Sequence, residues 1–147
     1  MSLDGYYIED LTEGMTAVFG KTITDADILM FAGVSGDTNP VHLNEEFALG
    51  TAFHGRIAHG MLTASLISTV LGTKLPGPGC IYLSQNLKVL APVRAGDTVR
   101  AEVTIRSIDR EKRRVLFDTA CKVGGKTVLS GEALTMVPRR PAPATDA

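Results

Sequence analysis

The chain has 147 residues, 44% of them hydrophobic and 5% aromatic, with no tryptophan and a formal net charge of −1. That length suits one domain with a single core of Val, Leu, Ile and Ala. The near-neutral balance gives no electrostatic reason to expect a nucleic-acid or membrane-surface partner. Cys80 and Cys121 stand far apart without CxxC or disulfide-framework spacing, the pattern of two reduced thiols in a cytosolic protein.

The first segment, "MSLDGYYIEDLTEGM", is acidic and lacks a hydrophobic signal core. Residues 1–22 read as a mixed lead-in with a turn at Glu13-Gly14. "TDADILMFAGVSG" then predicts a helix: Thr24 and Asp27 form a capping pattern, and Gly36 is a stop. Ile28, Leu29, Phe31, Ala32 and Val34 would give it one buried side. Asn39 precedes Pro40, which pushes it toward extended backbone, so "DTNPVH" is expected to be irregular. A second short helix starts at Asn44, with Glu45 and Glu46 favourably placed in its first turn.

"AHGMLTASLISTVLG" predicts a helix that is apolar or small on every side and therefore buried all round, with Gly72 as its stop. The apolar-rich stretch from Ile57 to Leu71 is too short and too polar to span a bilayer, so a soluble cytoplasmic protein is expected. After "LPGPG" the period changes to two. "IYLSQNLKVL", "TVRAEVTIR", "VLFDTACKV" and "TVLSGEALTMV" read as strands, with Val99, Ala101, Val103 and Ile105 inward on the second. Val115, Phe117, Thr119, Cys121 and Val123 share one face of the third. The run "DREKRR" sits where two strands should turn and reads as a solvated hairpin turn. Antiparallel strands following one buried helix predict an α+β domain, a sheet wrapped around that helix. Residues 1–137 form this domain, and the Pro/Ala-rich 138–147 form a poorly ordered tail.

The segment "FAGVSGDTNPVHLNEEFA" concentrates the chemistry. Asp37 and His42 make an acid/base couple if both face one pocket, and Asn39 could orient a water or a carbonyl. The same residues are also good helix-stop and turn chemistry, chosen for backbone reasons alone. A metal held by His42, His54 and His59 matches no metal-binding spacing, and no metal is expected. Gly60 lies at the predicted start of the buried helix. Unsatisfied N–H groups point outward there, and a glycine lets a substrate oxygen approach closely. An acid/base pair with a helix-start oxyanion donor suits addition of water to an activated alkene.

With these residues in view, "FAGVSGDTNPVHLNEEFA" resembles the hydratase motif of the MaoC-like (R)-specific enoyl-CoA hydratases, a G-D-x-N-P-x-H core. The resemblance continues through "GRIAHGMLTASLIS", "LPGPGCIYLSQNLKVLAPVRAGDTV" and "GEALTMV". It implies a hot-dog fold, one per chain, paired into a homodimer. It also implies reversible syn hydration of trans-2-enoyl-CoA to (R)-3-hydroxyacyl-CoA without metal or organic cofactor, coenzyme A being part of the substrate. Asp37, as base, and His42 would be catalytic. Asn39 and Ser68 would position water or substrate, and the Gly60 N–H would be the oxyanion donor. Leu66, Leu71 and Met136 are candidates for the acyl pocket, and Arg94, Arg110, Lys112 and Arg113 for phosphate or carrier contacts. The alternatives are a 3-hydroxyacyl-acyl-carrier-protein dehydratase or, from another class, a non-catalytic acyl-thioester binding module.

Overall fold

The structure, a computed structural model, describes residues 4–145. After a 3-10 turn at Ile8–Asp10 come β1 (Thr16–Thr22), α1 (Asp25–Ser35), α2 (Pro40–Leu43), α3 (Glu45–Leu49) and α4 (Gly60–Thr73). They are followed by β2 (Ile81–Val89), β3 (Thr98–Asp109), β4 (Arg114–Val123) and β5 (Lys126–Met136). All five strands form one antiparallel sheet in the order β1-β3-β4-β5-β2.

The period-two pattern determines the inner face. Register pairs Val99 with Val123, Ala101 with Cys121, Val103 with Thr119 and Ile105 with Phe117, and all but Val123 are fully buried. Against this face lies α4 with Leu62, Leu66, Ile67, Val70 and Leu71 inward. Each such aliphatic side chain stabilises the fold by about 2 kcal/mol through burial. Register shifts at Ile105/Ser107, Cys121/Lys122 and Tyr82/Ser84 bend the strands, so the sheet curls around the helix. Gly131 is required where β5 passes β2, since a Cβ there would sit 1.9 Å from the Asn86 carbonyl oxygen.

The helices start and stop by local chemistry. Thr24 and Asp27 exchange side-chain bonds with each other's backbone N–H at 3.1 and 2.9 Å, and Gly36 closes α1 at φ 78°. The Thr24 N–H, helped by the Lys21 ammonium, holds the Asp27 carboxyl below its usual range. The short helix expected from Asn44 is α3, with Glu45 and Glu46 in its first turn and Asn44 Oδ1 capping it.

Four expectations need correction. On α1 only Ile28 and Ala32 are buried, whereas Leu29 is 51% and Val34 89% exposed, because the helix meets the core along a narrow strip, with Ile28 in it and Phe31 packed against it. The helix α4 is not buried all round, since Met61, Ser65 and Ser68 face outward, and it runs through Gly72 to Thr73. The "DTNPVH" segment is not wholly irregular. Pro40 serves as first residue of α2, a position where its missing N–H costs nothing. The lead-in contains β1, an edge strand pairing with β3. The charged run is a hairpin turn between β3 and β4. Residues 138–145 form no helix or strand, although Arg140 binds Asp10 and lies over the Tyr7 ring.

Candidate active site

The site begins where α1 ends. Gly36 turns the chain, and the Ser35 hydroxyl, donating to the Phe31 carbonyl, accepts the Asp37 N–H at 3.1 Å. The Asp37 carboxylate accepts the Asn39 N–H at 3.2 Å, and Asn39 Oδ1 accepts the Val41 N–H at 3.1 Å. Asn39 thus caps α2, and that single helical turn carries His42 into a buried position.

There the His42 Nδ1 lies 2.8 Å from the Ile57 carbonyl oxygen. A carbonyl can only accept, so Nδ1 carries the proton and Nε2 remains for chemistry. The segment supplying that carbonyl is tightly held. Ile57 N–H donates to Val41 O at 3.2 Å, and Ala58 N–H to Val93 O at 2.7 Å. Arg56 Nε donates to the His42 carbonyl at 2.7 Å while Nη2 binds Asp25 at 2.6 Å. Arg94 donates to the carbonyls of Arg56 and Phe53. Arg94 and Arg110, considered above as phosphate contacts, therefore direct their guanidinium groups to backbone carbonyls, Arg110 to those of Ile8 and Leu11.

His59 completes the cluster. Its ring stacks on that of His42, centroids 3.8 Å apart and planes 28° off parallel, and Phe31 packs at 4.8 Å. Its Nε2 is 2.9 Å from the Asp37 carbonyl oxygen. Asp37, His42 and His59 bring potential ligand atoms within 4.8 Å of one another, a grouping that does not include His54. Each imidazole has one nitrogen on a backbone carbonyl, His42 on that of Ile57 and His59 on that of Asp37. His54 is exposed, with φ 54°, in the neighbouring loop.

Gly60 opens α4, so its N–H has no carbonyl within the helix to bind. His42 and Gly60 share the wall of an apolar cavity of about 250 Å³, with Ile57, Thr63, Val93 and Leu129 among the other walls. Leu66 and Leu71 belong to the core between α4 and the sheet, and Met136 is half-buried at the end of β5; none of the three lines this cavity. Ser68 lies on a second, more open groove with Phe31, Met61, Ser65 and the β2 residues Tyr82 and Leu83. The placement of His59 against both Asp37 and His42 was not legible beforehand; the signal was its position just before Gly60.

A helix across a curled antiparallel sheet, with an imidazole and a helix-start glycine on one cavity, is the layout of a hot-dog domain. The chain matches the MaoC-like domain over residues 10–127 and belongs to that family. It is 57% identical to an "(R)-specific enoyl-CoA hydratase" of Rhodospirillum rubrum, over 92% of this chain and 94% of the relative. It is 50% identical to a "3-hydroxybutyryl-CoA dehydratase" of Methylorubrum extorquens, covering 91% and 85%. The solved (R)-hydratase from A. caviae superposes with a TM-score of 0.85 at 41% identity, over 88% of this chain and 99% of that one.

Proposed function

We propose that the protein is an (R)-specific enoyl-CoA hydratase, adding water reversibly to a trans-2-enoyl-CoA to give the (R)-3-hydroxyacyl-CoA. The observation that carries the reading is the approach of Asp37 and His42 within 4.8 Å, with His42 and Gly60 on one cavity. Similarity to the two curated relatives supports the substrate class.

In the hydration direction one water sits between the Asp37 carboxylate and His42 Nε2. Asp37 removes a proton as the oxygen bonds to C3, and the electron pair of the double bond moves toward the thioester carbonyl. The Gly60 N–H, aided by the N-terminal end of the α4 dipole, donates a hydrogen bond to the developing oxyanion. His42 in its protonated form, anchored through Nδ1 to the Ile57 carbonyl, delivers a proton from Nε2 to C2. Asp37 then holds the water's proton, and its passage back to His42 restores the resting pair. Atoms and charge balance without an oxidant or a further co-reactant.

The test is loss of the conjugated enoyl-thioester absorbance with a short trans-2-enoyl-CoA, followed by chiral analysis of the product. The parent should turn over to the (R) alcohol, and Asp37→Asn should lose about 10²- to 10⁴-fold in kcat. Turnover confined to acyl-carrier-protein thioesters would move the carrier; none with either would leave a binding module.

We also infer a homodimer joined through β2. This strand is an edge of the sheet and exposes Ile81, Tyr82 and Leu83, next to exposed Met61 on α4. Unpaired backbone beside apolar side chains is the surface that pairing with a second copy would cover. Among the described residues no helix is long and apolar enough to cross a membrane.

A further inference from the structure

We propose that His59 is a positioning residue for the hydration step: with its proton on Nε2, it ties the Asp37 main chain to the His42 ring and so sets the distance across which the pair shares a water. The proposal rests on the hydratase reading above.

Three contacts meet at this one residue. The ring is 1% exposed, and its Nε2 reaches the Asp37 carbonyl oxygen at 2.9 Å, where only a donor is useful. Its face lies on His42 at 3.8 Å. The Ile57 carbonyl fixes one edge of the His42 ring but does not by itself fix the ring's plane; His59 closes one side of it. Its main chain runs directly into Gly60, the proposed oxyanion donor.

The second ring nitrogen points to the same assignment. His59 Nδ1 is buried and has no hydrogen-bond partner. A proton there would be a buried donor with no acceptor, whereas a bare lone pair is the cheaper vacancy. A residue serving only to fill space would need neither nitrogen, and a phenylalanine beside Phe31 would bury more apolar area without leaving an orphan atom. The imidazole is thus explained by the bond to Asp37 and not by packing.

Two measurements test this. Long-range ¹H–¹⁵N correlation on the folded parent, labelled at its three histidines, should show His59 as the Nε2–H tautomer at neutral pH. A proton on Nδ1, alone or in an imidazolium, would overturn the proposal, and this readout needs no variant to fold. In kinetics, His59→Gln, whose amide nitrogen can reach the place of Nε2, should keep kcat within about fivefold. His59→Asn is too short to reach it and should lose about 100-fold in kcat with KM within about threefold, the scale of a small misplacement of reacting groups. Equal losses in the two variants, or a parental kcat in His59→Asn, would count against positioning. A parent inactive on enoyl thioesters would remove the hydratase reading while leaving the tautomer result to stand for itself.

Discussion

Gly60 has two separable properties, its helix-start N–H and its missing side chain. A Cβ built there would meet Val89 Cγ2 at 3.4 Å, an ordinary contact with a movable group, and φ is not positive. Gly60→Ala should therefore fold with stability within about 1 kcal/mol of the parent. It would nevertheless put a methyl group on the cavity wall beside His42, where the thioester must approach. We expect kcat/KM to fall by about 10- to 100-fold while thermal unfolding barely moves, less than the roughly 10²- to 10³-fold of removing an oxyanion donor outright because the N–H itself is kept. A parental kcat/KM in a folded Gly60→Ala would remove the oxyanion role. At this scale the sequence was readable wherever the chemistry is local. The Asp37–Asn39 turn forms as local side-chain chemistry anticipates, whereas the helical turn that Pro40 opens and that carries His42 runs against the expectation of irregular backbone. His59 was harder, because its meaning depends on how α4 sits against the end of α1, a distance in space that no spacing encodes.

Among the elements, the loop between α3 and α4 is the one that the site depends on and that has the least structure of its own. It is held by Arg94, from the segment between β2 and β3, which donates to two of its carbonyls, and by Arg56, which clasps the main chain of His42. Arg94→Met keeps much of the apolar stem but leaves those carbonyls without a charged donor. That should cost about 1–3 kcal/mol in urea unfolding, and kcat should drop more than KM rises, since the Ile57 carbonyl that aligns His42 lies in the same loop. A variant with parental kcat would show that the loop is held without Arg94. The ends of α1 were legible because Thr24, Asp27 and Gly36 act within a turn of themselves. Which side of α1 is buried was not, since that depends on what else the chain places beside it. Strand β1 is not legible in the sequence for a related reason: as an edge it is only half covered, and its alternation is correspondingly blurred around Gly20 and Lys21.

For the whole molecule, the decisive surface is the β2 edge. Leu83 sits at the register shift between Tyr82 and Ser84, is 41% exposed, and lines the groove that also contains Ser68. Leu83→Asp puts a charge where a second copy's apolar surface would lie, and should weaken association by roughly 2 kcal/mol or more, read as monomers in sedimentation velocity. An unchanged dimer would place the interface elsewhere, and a monomeric parent would end the inference. The architecture itself was largely visible in the sequence, since the inward sets alternate from Val99 to Ile105 on β3 and from Val115 to Cys121 on β4.

The strand order has a temporal meaning. Neither of the first two strands pairs with the other: β1 waits for β3, and β2 waits for β5, the last strand made. Every group proposed for the chemistry, from Asp37 to Gly60, is synthesised well before the walls that bring those groups together. During that interval α4 has no sheet to lie on, and non-local pairings of this kind close slowly. A nascent chain halted before Lys126 would already hold the whole set of reactive side chains and still have no cavity for them to serve.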